Sequence, residues 1–152
     1  GYGAMLFATA LSTDSMTENF ADPARGPALM GLAREVMRTA RAEGVKPKPF
    51  NGFDPLAFMP EASDDAALQS LADLAVFNSK TAKTHTGIYR DLAVRKRKTE
   101  VDPQVGTVAQ IAQSHGIDTP LLRRLVELIH DIEDGRREMS ADTFHELTKV
   151  LS

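Results

Sequence analysis

The sequence contains no cysteine, so it forms neither a disulfide framework nor a thiolate nucleophile, and any metal site must be built from histidine and carboxylates. That absence fits a reducing cytoplasm, where we place the protein. No apolar run approaches the roughly 18 residues needed to cross a bilayer. The most apolar stretch, Gly1 to Leu11, is soon interrupted by Ser12, Asp14 and Glu18, and it lacks the basic start of a secretory signal. There is no G-x-G-x-x-G, no phosphate loop and no strand pattern to launch either. The chain therefore has no means of its own to hold a dinucleotide pyrophosphate. The four histidines, His85, His115, His130 and His145, form no HxxxH or HxH pair, so no helix face offers two ligands and we expect no metal.

What is present points to one ordinary soluble domain: 152 residues, 42% hydrophobic and 26% charged, enough for one core but not comfortably for two. A net charge of -3 gives no global attraction to nucleic acid or anionic lipid. The chain opens in GYGAMLFATAL, which reads as the inside of a buried helix and carries no initiator methionine. The expectation is a domain taken from a longer protein. Its apolar Tyr2, Met5, Leu6 and Phe7 are expected to be exposed and to drive self-association, as a homo-oligomer and most simply a dimer.

Apolar residues recur at three and four, punctuated by Asp-Pro, Thr-Pro and Gly, which predicts an all-α fold. A first helix is expected over Ala4 to Phe20. A second is capped by Asp22 with Pro23 in its first turn, carries Leu29, Leu32, Val36 and Ala40 on one stripe, and ends at Gly44. Val45 to Ala62, with Pro47, Pro49, Pro55, Pro60 and Gly52, reads as a loop with one short turn near Asp54-Pro55-Leu56. Ser63 opens a helix with Leu68, Leu71, Leu74, Ala75 and Phe77 to about Lys80. Further helices are expected over Thr86 to Lys98, Pro103 to His115 and Thr119-Pro120 to Asp134, the last two closed by Gly116 and Gly135. Ser140 caps a final segment, Ala141 to Leu151.

Three features carry candidate chemistry, each with a plain structural alternative. Arg90, Arg95, Lys96, Arg97 and Lys98 form a basic run that could meet a phosphate, or simply a solvated helix end with Asp91 as its pair. No aromatic interleaves it, so nucleic acid is not expected as a partner. Thr84-His85-Thr86-Gly87 is small, polar and placed at a helix start, a cradle for a carboxylate or an ordinary N-cap. Glu100 lies between one helix and the next, free to face a site or to serve the following helix dipole. His115, just before Gly116, reads as a helix-terminal cap.

The stretch Thr81 to Leu92, followed by Lys98-Thr99-Glu100-Val101-Asp102, resembles the ketopantoate reductase family, whose pattern is a Ser-rich helix start, a "DI" pair and then "TEID". Ile111 to Pro120 is similar to the family's "A…HGI.TP" segment, and Leu6 to Leu11 with Asp22-Pro23 to its first C-domain helix and "P.R" turn.

The resemblance implies an all-α, multi-helix bundle of the 6-phosphogluconate dehydrogenase C-terminal-domain-like type, spanning residues 1–152 as a single helical domain without its N-terminal Rossmann partner. It implies an NADP-dependent reductase of a small 2-oxo acid, as in pantothenate biosynthesis, with the active site between domains and the cofactor held mainly by the other half. Glu100 then corresponds to an active-site glutamate, catalytic and cofactor-contacting. Thr84, His85, Thr86 and Gly87 correspond to a substrate-binding segment. A lysine of the first helix is expected to protonate the forming alkoxide, and none of Lys46, Lys48, Lys80 or Lys83 takes its place. Gly3 and Phe7 stand where the family's substrate-binding asparagines are expected, which weakens the case for ketopantoate itself. The alternative is a non-enzymatic helical binding or dimerisation module of the same fold. The missing pyrophosphate loop gives a first prediction: calorimetric titration of this chain with NADPH shows no binding and no reductase activity accompanies it, whereas micromolar affinity contradicts the half-domain reading.

Overall fold

In a computed structural model, which describes residues 2–46, 48–49, 53–80 and 84–152, all regular structure among the described residues is helical. Pro47 and Gly52 of the proline-rich loop, and Thr81, Ala82 and Lys83 of the family-like segment, lie outside the described residues. The helices are α1 (Tyr2–Thr9), α2 (Met16–Ala21), α3 (Gly26–Ala42), α4 (Asp64–Ser79), α5 (Gly87–Arg90), α6 (Thr107–Ser114), α7 (Pro120–Glu133) and α8 (Ala141–Thr148). Helix α5 runs on into a π-helical turn, Asp91–Arg95, and a second π-helical turn, Asp102–Gly106, leads into α6.

The expected first helix over Ala4 to Phe20 is two helices, because local side-chain bonds outcompete apolar periodicity between Thr9 and Met16. Ser15 Oγ accepts from the Glu18 N–H at 3.1 Å and Glu18 Oε1 accepts from the Ser15 N–H at 3.0 Å, a reciprocal capping box that starts α2. Fully buried Asn19 seals the break: its Nδ2 donates to the carbonyls of Asp14 at 3.2 Å and Ser15 at 2.9 Å. Asp22 and Pro23 do not open the next helix either. Asp22 Oδ1 accepts from the Ala24 N–H at 2.9 Å in a tight turn, and α3 starts only at Gly26, with Pro27 in its first turn. The residue between, Arg25, is 7% exposed and donates to Ser12 Oγ at 3.1 Å, Asn19 Oδ1 and Asp14 Oδ2. Its guanidinium also lies 5.2 Å over the Phe144 ring of α8.

The remaining signals act much as the sequence pattern indicates. Asp54 caps a 3-10 turn over Pro55–Phe58, Ser63 caps α4 and Ser140 caps α8. The left-handed Gly44 closes α3, as Gly116 and Gly135 close the helices before them. The helix expected over Thr86 to Lys98 stops earlier, because Lys96 turns left-handed at φ 50° and the chain leaves the helix there.

Helix α3 occupies the middle, touching α1, α4, α6, α7 and α8. The α1 patch expected to be exposed is covered by the chain itself: Tyr2, Met5 and Phe7 are buried, and Tyr2 stacks between Phe20 at 6.4 Å and Phe53 at 5.6 Å. Apolar exposure lies instead on α4, where Leu68 and Phe77, expected in the core, are 43% and 39% exposed beside Val76 at 54%.

Helix α7 starts at Thr119 without a side-chain cap of its own. Glu35 of α3, 6% exposed, supplies one from across the core, accepting from the Leu121 N–H at 3.0 Å and the Leu122 N–H at 2.9 Å. Burial pushes the Glu35 carboxyl above its ordinary range, against the opposing pull of those two N–H groups and of Arg38. Because the folded value is raised, the stabilisation linked to the bound proton is full below the ordinary glutamate range and is lost as pH rises through the raised value. Glu35→Ala leaves two buried N–H groups unpaired and is expected to cost roughly 2–4 kcal/mol in chemical denaturation at neutral pH. Glu35→Gln keeps an acceptor for one of the two N–H groups, so it should cost less than Glu35→Ala and remove this pH dependence; a Glu35→Ala loss no larger than that of an exposed-site substitution contradicts the cap.

Candidate functional site

Within α1 only Gly3 and Leu6, one turn apart, escape burial, so this helix presents a single narrow open face. Helix α1 packs against α5 on one side and against the Asp102–Gly106 turn on the other. Thr84–Thr86 lead into α5 and Glu100 stands two residues before the Asp102–Gly106 turn, so both sequence-derived segments open elements that touch α1.

On the α5 side, Thr86 is the N-cap: its Oγ1 accepts from the Tyr89 N–H at 3.0 Å, and the residue is 4% exposed. Its hydroxyl is therefore already engaged as an acceptor. The Thr84 carbonyl accepts from the Met16 N–H at 2.9 Å, tying the segment to α2. His85 Nε2 lies 2.9 Å from the Thr13 carbonyl, which can only accept, so Nε2 carries a hydrogen. Its Nδ1 is 3.0 Å from Thr84 Oγ1, and its ring lies 4.1 Å from that of Tyr89. Both nitrogens of His85 are thus committed within the chain, which makes it a brace for the segment. Gly87 has open space where a Cβ would stand, so the backbone at the start of α5 is open to close approach.

On the other side, Glu100 is exposed between two pinned neighbours. Thr99 donates its N–H to Glu133 Oε2 of α7 at 2.6 Å and its hydroxyl to the same oxygen at 2.8 Å. Val101 is fully buried, and the Asp102 carboxylate pairs with His130 of α7 at 2.9 Å. Among the described residues the Glu100 carboxylate meets Gln104, whose Nε2 donates to Oε2 at a long 3.4 Å. Gln104 also lines, with Gly3, Ala4 and Val108, a small cleft of about 100 Å³. The arrangement offers a carboxylate on a fixed backbone beside a helix face without bulk, able to accept from hydroxyl groups.

Phe7, placed by the resemblance at a substrate-facing position, is 1% exposed and belongs to the core. Only Gly3 of that pair faces outward. Two cations of the basic run share one carboxylate: Arg95 and Arg97 both pair with Asp91 Oδ1 at 2.9 Å. Desolvation pulls the Asp91 carboxyl upward, and the two guanidinium bonds outweigh it and hold the group below its ordinary range. His115 caps α6 and pairs with Glu43 at 3.2 Å. Among the described residues no group of three His, Asp or Glu could hold a metal ion, and no helix is long and apolar enough to cross a membrane. Glu133, His130 and Gln104 were not found from sequence. For Glu133 and His130 the signal is tertiary, since α7 comes against the Glu100 loop only on folding, whereas Gln104 is a local i,i+4 partner of Glu100.

A larger concavity lies elsewhere: an apolar groove of about 520 Å³ between the α2–α3 turn and α4, lined by Phe20, Pro23, Pro27, Leu68, Ala72 and Val76. It carries few polar groups and none of the candidate site residues.

Comparison with known proteins agrees with the family-like motifs. The fold is similar to the ternary structure of D-mandelate dehydrogenase with NADH and anilino(oxo)acetate, with a TM-score of 0.66 at 20% identity. The match covers 88% of this chain and 64% of that one, so this chain spans less than two thirds of that protein. No protein of curated function matches the sequence. The family described as ketopantoate reductase PanE/ApbA C terminal matches residues 3–133, from the open face of α1 to the last residue of α7. The chain belongs to the ketopantoate reductase C-terminal family.

Proposed function

We propose that this chain is the helical half of an NADP-dependent reductase of a 2-oxo acid, lending site residues to a cleft that a Rossmann domain completes. The observation that carries the reading is Glu100: exposed, held on a backbone pinned at both neighbours, and bonded by Gln104, which lines a small cleft with Gly3 of α1. Family membership over residues 3–133 supports it, and in the resemblance of Thr99-Glu100-Val101-Asp102 to the family's motif Glu100 corresponds to an active-site glutamate.

The described residues suit the edge of a nicotinamide cofactor and not its pyrophosphate. The donor set has a carboxylate for a ribose or substrate hydroxyl but no glycine-rich turn. When bound, the cofactor supplies the hydride. The tasks left to this chain are orientation and charge. Glu100 accepts from a hydroxyl, and the open backbone at Gly87 receives the substrate carboxylate.

The α1 face favours a substrate with an apolar side chain. Gly3 offers no polar group, and its neighbour on that face is Leu6. An aryl or branched 2-oxo acid fits it better than a hydroxylated one, and the similar structure named above is of a dehydrogenase of mandelate, itself an aryl acid. The second reading, a helical docking module, is favoured by the apolar groove on α4.

The test is Glu100→Gln in the protein carrying its nucleotide-binding domain, assayed for NADPH oxidation with ketopantoate, 2-oxoisovalerate and phenylglyoxylate. A site role lowers kcat/KM about ten-fold or more, the equivalent of roughly 1.4 kcal/mol of transition-state stabilisation, with the melting curve nearly unchanged. Unchanged turnover removes the site assignment, and no turnover of any of the three acids by the unsubstituted protein favours the docking module.

A further inference from the structure

We infer that Glu133, the last residue of α7, is a positioning residue for Glu100; the inference rests on the reading of Glu100 as a site residue. The two carboxylates belong to elements far apart in sequence and meet through Thr99. One oxygen of Glu133 accepts both donors of Thr99, the backbone N–H at 2.6 Å and the hydroxyl at 2.8 Å. The hydroxyl hydrogen is then spent on Glu133, which leaves the Thr99 oxygen lone pairs for the Val101 N–H at 3.2 Å. Glu133 therefore fixes the backbone on both sides of Glu100 through a single hydroxyl.

Two further observations mark this as more than a surface contact. A carboxylate at a helix C-terminus is opposed by the helix dipole, so Glu133 needs a compensating environment. Its compensation here is the pair of hydrogen bonds from Thr99, and the cavity of about 170 Å³ that it lines also carries Lys96. Second, the loop it clamps joins two π-helical turns, Asp91–Arg95 and Asp102–Gly106, and leaves the first through the left-handed Lys96. Such a segment has little regular backbone pairing of its own, so an outside clamp sets where Glu100 points.

The test compares Glu133→Ala, Glu133→Gln, Thr99→Val and Glu100→Gln in the protein carrying its nucleotide-binding domain, with NADPH and whichever of the three acids above is turned over. Amide exchange at Thr99 and Val101 is followed in this chain alone. Glu133→Ala is expected to lower kcat about five- to ten-fold with KM little changed, while Glu133→Gln, which keeps the accepting oxygen, stays within about two-fold. Thr99→Val removes the hydroxyl from the loop side but keeps the backbone N–H bond, and should reproduce part of the Ala effect without touching α7. In Glu133→Ala, exchange at Thr99 and Val101 rises about ten-fold or more, and combining it with Glu100→Gln adds little further loss in kcat. If Glu100→Gln is damaging while Glu133→Ala and Thr99→Val are not, or if the losses multiply, the clamp is refuted and the site reading stands. If Glu100→Gln is itself silent, both fall.

Discussion

The structure depends first on one buried cation. Arg25 is 7% exposed, and taking a guanidinium out of water is tolerable only where its donors are met by charge and good geometry. Asp14 at 2.6 Å and Asp22 at 3.3 Å supply the charge, Ser12 and Asn19 supply acceptors, and the Phe144 ring covers its face. Those partners lie on the α1–α2 break, on α2, on the α2–α3 turn and on α8. One side chain thus fixes four segments. The consequence reaches the site through Thr13, which lies inside the Ser12–Asp14 turn and whose carbonyl accepts from His85. Arg25 holds the turn, the turn braces His85, and His85 and Thr84 set the start of α5.

A second set of contacts does the same for the opposite wall. Helix α7 receives its N-terminal cap from Glu35 and presents Glu133 and His130 to the Glu100 loop from its other end. Because α3 touches both α1 and α7, the floor and the clamp share one central helix. The candidate site residues sit on ends and turns whose donors and acceptors are used, and among the described residues the Glu100 carboxylate has one long bond, from Gln104. That contrast between a fully engaged backbone and a free side chain is what a preorganised site requires.

The sequence disclosed the all-α class because its apolar spacing and its caps, Ser63, Ser140, Gly44, Gly116 and Gly135, are local signals read within a few residues. It misled where two local signals competed. Apolar periodicity ran through the α1–α2 break, and the Ser15–Glu18 capping box inside that run was the cue passed over. Asp22-Pro23 looked like a helix start, and the difference between that and a turn lay in Arg25, whose burial is tertiary. The apolar start of α1 looked exposed because its covers, Phe20 and Phe53, are distant in sequence. For the site, motif order pointed to Glu100 and Thr84–Gly87. The roles of His85 and Glu133 depend on partners 72 and 34 residues away and had no sequence signal.

The central claim is that the face formed by Gly3 and Leu6, the Thr84–Gly87 segment and Glu100 is where a nucleotide-binding domain closes. Amide exchange of this chain, alone and with that domain and NADPH present, tests it most directly. The account predicts new protection at Gly3 to Leu6, at Gly87 and Ile88, and at Glu100 and Val101, with α4 unchanged. Protection confined to Leu68, Ala72 and Val76 on the α4 groove, with the Glu100 loop exchanging as before, contradicts it.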